Sequence, residues 1–358
     1  MPVPYSLTER LDIQPIIQAP MAGVSTPALA AAVSGAGGLG SLGIGASTPA
    51  QAREMITATR ALTSRAFNVN VFCHAPARRD PHREAQWLAW LAPLFRESGA
   101  RPPDQLHEIY PSFLADPAQC ALLLETRPAV VSFHFGLPRT DQLLALQDAG
   151  IYTLASVTSL AEARAAEQAG VDGLIAQGIE AGGHRGIFNP GGPDEQLTTQ
   201  ALVRQLVPRV SRPVIAAGGI MTGDDIARML NEGAVAAQLG SAFLLCPEAA
   251  TTPDWRANLQ SPRAASTRLS SVFSGRPARG MVNRLMDWGE TPDAPQPADY
   301  PLAYDVAKQL NGIASQQGDH EFAAQWAGQR AFLAREYPAA EIVRQLIAQL
   351  HLARQHSV

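Results

Sequence analysis

The sequence holds only three cysteines, one lysine and 6% aromatic residues, and only 17% of its 358 residues are charged. Cys73, Cys120 and Cys246 are far apart, with no CxxC pair and no Cys/His ligand spacing, which argues against a zinc site or a disulfide framework. Their plain reading is small buried hydrophobes. A continuous apolar run of about 20 residues, as a membrane span requires, is also missing. The one long uncharged stretch, Ile13 to Ala52, is broken by Pro, Gln, Ser and Gly. Met1 to Ala19 carries Glu9, Arg10 and Asp12 without a basic segment and apolar run, so it does not read as a signal peptide. A cytoplasmic protein with no membrane partner is expected. A net charge of −4 offers no basic face for nucleic acid, and a hydrophobic share of 46% excludes a disordered chain.

What is present is glycine (29) and proline (28). Together they make about 16% of the chain, against about 12% in ordinary proteins, so many turns are expected. Short apolar segments alternate with helical patterns. The segments are Ile13 to Pro20, Leu39 to Ile44, Phe67 to Phe72, Val130 to Phe135, Tyr152 to Val157, Gly173 to Ala176, Val214 to Ala217 and Ala234 to Leu239. Stretches such as Ser159 to Ala169 and Thr222 to Glu232 have helical period, and Thr26 and Ser47 or Thr48 start earlier helices. Eight strands alternating with helices imply parallel pairing through right-handed crossovers. An α/β fold, a (β/α)8 TIM barrel with helical insertions and a C-terminal helical extension, fits best. A doubly wound sheet is disfavoured because the first turn, Pro20 to Ser25, lacks GxGxxG. The barrel is expected over residues 1–246, with an insertion at about 73–129 carrying Trp87 and Trp90. Residues 247–358 are expected to pack on it and reach the substrate pocket.

Such barrels place chemistry on the loops at the C-terminal ends of their strands. That rule selects Met21 and Ala22, Asn70, His134, Gln177, the loop Glu180 to Gly186, Gly218-Gly219 and Gln238 to Ser241. Glycines after the last two strands, Gly218-Gly219 and Gly240, suit a phosphate, because backbone N–H groups can come close to it. A tight turn is the plain alternative. His184 sits among glycines that let the loop fold over a ligand, and its imidazole can take a proton or donate to an oxyanion. His134 ends the fourth strand and is either a site residue or a packed histidine. His74 is weaker, and His82, His107, His320, His351 and His356 have no distinguishing context. Tyr300, Tyr304 and Lys308 are spaced i, i+4, i+8 and would share one helix face, forming a polar wall for an anion or an ordinary amphipathic surface. Arginine supplies 27 of 28 basic residues. The lone Lys308 is therefore retained by chance or for its compact ammonium. Asn70 and Gln177 offer donor and acceptor to a ring edge or simply cap their strand ends, Met21 can lie against a ring or in the core, and Trp326 to Gln329 reads as a helix packing on the barrel or as a late loop or helix start that reaches the cofactor.

Taken together, Gln18-Ala19-Pro20-Met21-Ala22-Gly23, Asn68-Val69-Asn70-Val71-Phe72, Gln177 to His184, Ala217-Gly218-Gly219-Ile220 and Gln238-Leu239-Gly240-Ser241 resemble the nitronate monooxygenase family, formerly called 2-nitropropane dioxygenase. The resemblance runs in order over nearly the whole chain. Phe72-Cys73-His74 and Trp326-Ala327-Gly328-Gln329 look most like the class I bacterial type. The resemblance implies noncovalent FMN contacted by Met21, Ala22, Asn70, Gln177, Gly182, Gly219, Gln238, Leu239, Gly240 and Ser241. It implies catalysis by His184 and a substrate pocket lined by Tyr110, His134, Tyr300, Tyr304 and Lys308. Ser241 stands where the family often has Thr, and the hydroxyl is kept. The implied reaction is oxidation of an anionic nitronate, propionate 3-nitronate, by O2 through a flavin semiquinone, giving an oxo product and nitrite. Two readings compete. An NAD(P)H-dependent FMN reductase of the quinone or enoyl type shares the loops, and a flavin-free barrel enzyme would bind a phosphorylated substrate with Lys308 as a Schiff-base candidate.

Overall fold

A computed structural model of the chain describes residues 7–355. Residues 1–6, which fall in the stretch read as lacking a signal peptide, and His356 lie outside the described residues. Eight parallel strands form the barrel: β1 (Ile16–Gln18), β2 (Gly40–Gly43), β3 (Phe67–Phe72), β4 (Val130–His134), β5 (Tyr152–Val157), β6 (Gly173–Gln177), β8 (Val214–Ala217) and β9 (Ala236–Leu239). Their order is β1-β9-β8-β6-β5-β4-β3-β2, and a bridge between Ile17 and Leu39 joins the two ends. The expected (β/α)8 barrel is therefore the fold.

Period-two alternation sorts each strand. In β4, Val131 and Phe133 point outward into the main core while Val130, Ser132 and His134 point inward. The lower interior is apolar, with Ile17, Leu39, Leu154 and Ile215 packed against Leu7 of α1 (Leu7–Leu11). Above it the inward positions turn polar: Asn68 donates to Ser41 and Ser132, and Asn70 donates to Ser132. The strand ends thus present polar side chains to a cavity above an apolar floor.

Outside lie α2 (Pro27–Gly35), α3 (Pro49–Leu62), α5 (Pro117–Thr126), α6 (Thr140–Asp148), α7 (Leu160–Ala169), α8 (Thr199–Leu206) and α9 (Gly223–Asn231). Thr26, Thr48, Ser159 and Thr222 cap their helices by accepting backbone N–H bonds, as the sequence suggests. Pro27, Pro49 and Pro117 sit in first helical turns, where no N–H is needed.

The remainder builds a cap. After β3 comes α4 (Pro81–Glu97); after β9 come α10 (Pro253–Leu259), β10 (Thr267–Ser270), β11 (Ala278–Met281), α11 (Arg284–Gly289) and α12 (Leu302–Ser315). Trp87, Leu91 and Phe95 of α4 bury themselves against Leu285, Leu302, Val306 and Leu310, a second core distinct from the barrel's. The last helix, α13 (Ala339–Gln355), returns to lie between α9 and α2 and buries Ile342, Val343, Leu346 and Leu350 in the barrel core. A short antiparallel sheet of β10, β11 and β7 (Gly183–His184) ties cap to barrel. The three cysteines are free. No metal-holding cluster and no helix long and apolar enough to cross a membrane occur among the described residues.

Candidate active site

The strand ends open into a cavity of about 250 Å³, roofed by the cap. Met21, Ala22, Asn70, Tyr110, His134, Gln177, Gly182, His184, Gly219, Gln238, Gly240, Ser241, Tyr300, Tyr304 and Lys308 all line it. Leu239 does not. Strand alternation turns its side chain outward into the barrel core, and its carbonyl accepts from Ala19 N at 2.8 Å. Only its backbone is left for a cofactor.

The loop bearing His184 is tightly held. Gly182 lies so close to the cap that a Cβ there would come within 2.6 Å of the Ala327 carbonyl carbon. His184 then pairs with Ala278 in the short sheet. Its carbonyl accepts two hydrogen bonds at 3.0 Å, from His134 Nε2–H and from Gln177 Nε2. The Gln177 Oε1 accepts from Gly186 N at 2.8 Å. Both candidates thus brace the loop as well as line the cavity. Beneath it Arg185, fully buried, pairs with Asp194 at 2.8 Å and donates to the Gln177 and Gly178 carbonyls.

His184 Nε2 lies 2.8 Å from Ser274 Oγ. Ser274 Oγ also accepts from Arg276 N and reaches the Arg276 carbonyl, each at 3.2 Å. The network is complete when the Ser274 hydroxyl donates to that carbonyl and His184 Nε2–H donates to Ser274; the tautomer is assigned by this satisfaction. Nδ1 then carries the lone pair and has no hydrogen-bond partner among the described residues. Burial, with smaller contributions from His134, Arg276 and His74, holds His184 down at about 3. His134 and His74 are likewise lowered to about 4, mainly by burial. All three are neutral near pH 7.

Tyr300, Tyr304, Lys308 and Tyr110 meet at one end of the cavity, but not as one helical stripe. The helix begins at Leu302, after Pro301, and the residue before a proline is pushed out of helical conformation. Tyr300 reaches the wall from the turn that precedes the helix, while Tyr304 and Lys308 share a face of α12. Lys308 is exposed at the mouth, its Nζ 5.3 Å from the Tyr110 ring centre and 5.1 Å from that of Tyr304. Burial pushes the Tyr110 and Tyr304 phenols up to about 12 and raises Tyr300 well above its ordinary value, so all three keep their protons as donors.

At the other end, Gly218-Gly219 after β8 and Gly240-Ser241 after β9 face each other, and Ser241 Oγ accepts from Gly328 N at 2.9 Å. Arg330 stands beside them, donating to the Gly219 carbonyl at 3.1 Å and paired with Asp225 at 2.7 Å. The Gln238 Oε1 is buried without a partner. Among the described residues no carboxylate lines the cavity, and its cationic side chains are Lys308 and Arg330, one at each end.

Of the two readings of Trp326 to Gln329, the stretch is a loop at the cavity and not a helix. Trp326 bridges to Gly280 and sets its ring 5.1 Å from that of His184. The Gly280 pairing holds that stretch extended. Ser274, Arg276 and Arg330 escape the sequence reading, because each comes from a loop whose position depends on the cap; Phe135, directly after β4, has no polar group to single it out.

The nitronate monooxygenase family profile matches residues 5–349. A nitronate monooxygenase of Paraburkholderia phytofirmans is 56% identical over 94% of this chain and 92% of its own. One from Pseudomonas aeruginosa is 55% identical over 94% and 96%. The solved structure of a nitroalkane oxidase from Streptomyces ansochromogenes superposes with a TM-score of 0.89 at 39% identity, covering 98% of this chain and 99% of that one.

Proposed function

The chain belongs to the nitronate monooxygenase family, and from that premise we propose that this oxidoreductase uses FMN and O2 to oxidise alkyl nitronates, propionate 3-nitronate foremost, to an oxo product and nitrite. The observation that carries the reading is the charge of the cavity wall: a cation at each end and no carboxylate between. Such a wall suits two anions at once, a cofactor phosphate by Arg330 and a small anionic substrate by Lys308.

The residues present fit FMN. The Gln238 Oε1, buried without a partner, is a polar atom awaiting a donor. Gly218, Gly219, Gly240 and Ser241 would hold the phosphate at the usual phosphate position of these barrels, while Met21, Ala22, Asn70 and Gln238 would hold the ring. Bound there, FMN supplies the electron acceptor and the route of electrons to O2.

The chain's own residues do the rest. Lys308 draws the anion to the mouth, and the protonated Tyr110, Tyr300 and Tyr304 offer it hydrogen bonds. Phe72, Phe135 and Trp326 keep water from the reacting end. Neutral His184 presents Nδ1 towards the cavity. A nitronate arrives already deprotonated, so His184 need not remove a carbon-bound proton. A neutral nitroalkane would force it to become imidazolium amid Arg276, His74 and His134, which the surroundings oppose. Nitronates are therefore preferred over their nitroalkanes.

The test is the visible spectrum of the protein supplied with FMN. Anaerobic propionate 3-nitronate should alter the flavin bands, and admission of O2 should release nitrite. A flavoprotein inert to nitronates and bleached by NADH would be a reductase instead. A protein that takes up no FMN would leave the phosphorylated-substrate barrel.

A further inference from the structure

Three arginines are buried beside the cavity, and only one of them has a carboxylate partner. Arg185 has Asp194. Arg279 donates to the Ile179 carbonyl and to both oxygens of Thr267. Arg276, 4% exposed, donates its side chain only to the Ile187 carbonyl, at 2.7 Å. No carboxylate oxygen comes within 4.0 Å of it among the described residues; Asp299 and Glu162 act on it only from farther away.

Its guanidinium lies instead behind the cavity wall, 4.5 Å from the Phe135 ring centre and 5.7 Å from that of Tyr300. Phe135 holds φ +72°, a conformation rare for a bulky residue. That backbone sets its ring between the arginine and the histidines, with centroids 5.5 Å from His184 and 4.6 Å from His134. The turn carrying Arg276 is equally fixed. Gly275 has φ +88°, and a Cβ there would fall 2.3 Å from the Ala298 carbonyl oxygen. One rigid turn therefore places Ser274 on His184 and a bare cation behind Phe135.

A buried cation with one carbonyl partner and no carboxylate is costly, and replacing it by an apolar side chain of similar length should not harm the fold. Its field, in turn, crosses one aromatic layer with little screening. We propose that Arg276 is a positioning residue: acting through the Phe135 and Tyr300 rings, its uncompensated charge makes the substrate end of the cavity selective for an anion. The identity of that anion as a nitronate rests on the function proposed above; the selectivity for negative charge does not.

The experiment compares FMN-loaded parent, Arg276→Met and Arg276→Lys. Nitrite serves as the anion probe, its binding followed through the flavin spectrum, and turnover is measured with ethyl nitronate and propionate 3-nitronate. In Arg276→Met the nitrite Kd and both KM values should rise about tenfold. The kcat should change less than about threefold, a split that marks lost ground-state attraction. FMN content should be kept and Tm should fall by no more than a few degrees. Arg276→Lys should recover most of the affinity. Unchanged Kd and KM in the Met variant, equal losses in Met and Lys, failure of both variants to fold, or a parent that does not bind nitrite would each overturn the proposal. A parent that binds nitrite yet oxidises no nitronate would remove the nitronate reading, and the Kd comparison would still decide the role of Arg276.

Discussion

His134 and His184 are joined ring to backbone: the His134 Nε2–H donates to the His184 carbonyl oxygen at 3.0 Å. The histidine that ends β4 thus acts as a strut for the loop crossing the cavity, sharing that carbonyl with Gln177. Removing the strut with His134→Ala should let the loop shift while Gln177 keeps it near its place. The expected result is a fall in kcat/KM for nitronates of about tenfold to a hundredfold, the usual consequence of misplacing a reacting group by a fraction of an ångström to one ångström. FMN titration should show little change in cofactor affinity.

The three buried histidines set an acid limit on stability. Their folded pKa values are depressed, to about 4 for His74 and His134 and about 3 for His184. An unfolded histidine takes its proton near pH 6.5, so below that the unfolded state binds protons that the folded state refuses. Tm should hold above pH 6.5 and fall steadily towards pH 4. His74→Gln should flatten the slope in that window. An unchanged slope in thermal melts of the variant would mean His74 is charged or exposed in the fold.

Lys308 stands at the mouth over two tyrosine rings, farther out than His184. It is placed for the distal charge of a substrate more than for its nitronate group. Lys308→Met should raise KM for propionate 3-nitronate about tenfold, the worth of one partly exposed charge pair with a hydrogen bond. For ethyl nitronate the rise should stay within about threefold. Equal effects on the two substrates would place the ammonium at the nitronate end.

The unpartnered Oε1 of Gln238 predicts opposite effects on apoprotein and cofactor binding. Gln238→Leu removes a buried polar atom that lacks a hydrogen bond, so the apoprotein should be as stable as the parent or up to about 1–2 kcal/mol more stable. FMN should bind at least about tenfold more weakly, because the variant can no longer accept from the ring edge. Calorimetry of the apoprotein and fluorescence titration with FMN measure the two effects separately.

The barrel was legible because local signals agreed along the chain. Strands such as Phe67–Phe72 alternate, turns carry glycine, and Thr26, Thr48, Ser159 and Thr222 announce their helices. Candidates at strand ends, such as Asn70, His134 and Gln177, follow from the barrel rule alone. The short sheet was not legible: β7 is two residues long, Gly183 and His184, and owes its existence to β11, almost a hundred positions away. For the same reason Ser274 and Arg276 were invisible, since a Ser-Gly-Arg turn acquires chemistry only when β11 sets it behind His184. Alternation turns the Leu239 side chain outward, so of the run Gln238 to Ser241 it is the one residue that could meet a cofactor only through its backbone.

The last helix has a consequence for how the chain is built. The barrel's wall beside α9 and α2 is closed by α13, which follows the whole cap in sequence. During synthesis the apolar flanks of those two helices therefore wait uncovered until the ribosome has delivered Ala339 to Gln355. The cap is accordingly no detachable module. A nick between Cys246 and Ala339 would sever the barrel from its own closing helix, and truncation after β9 would remove a structural wall together with the substrate end of the site.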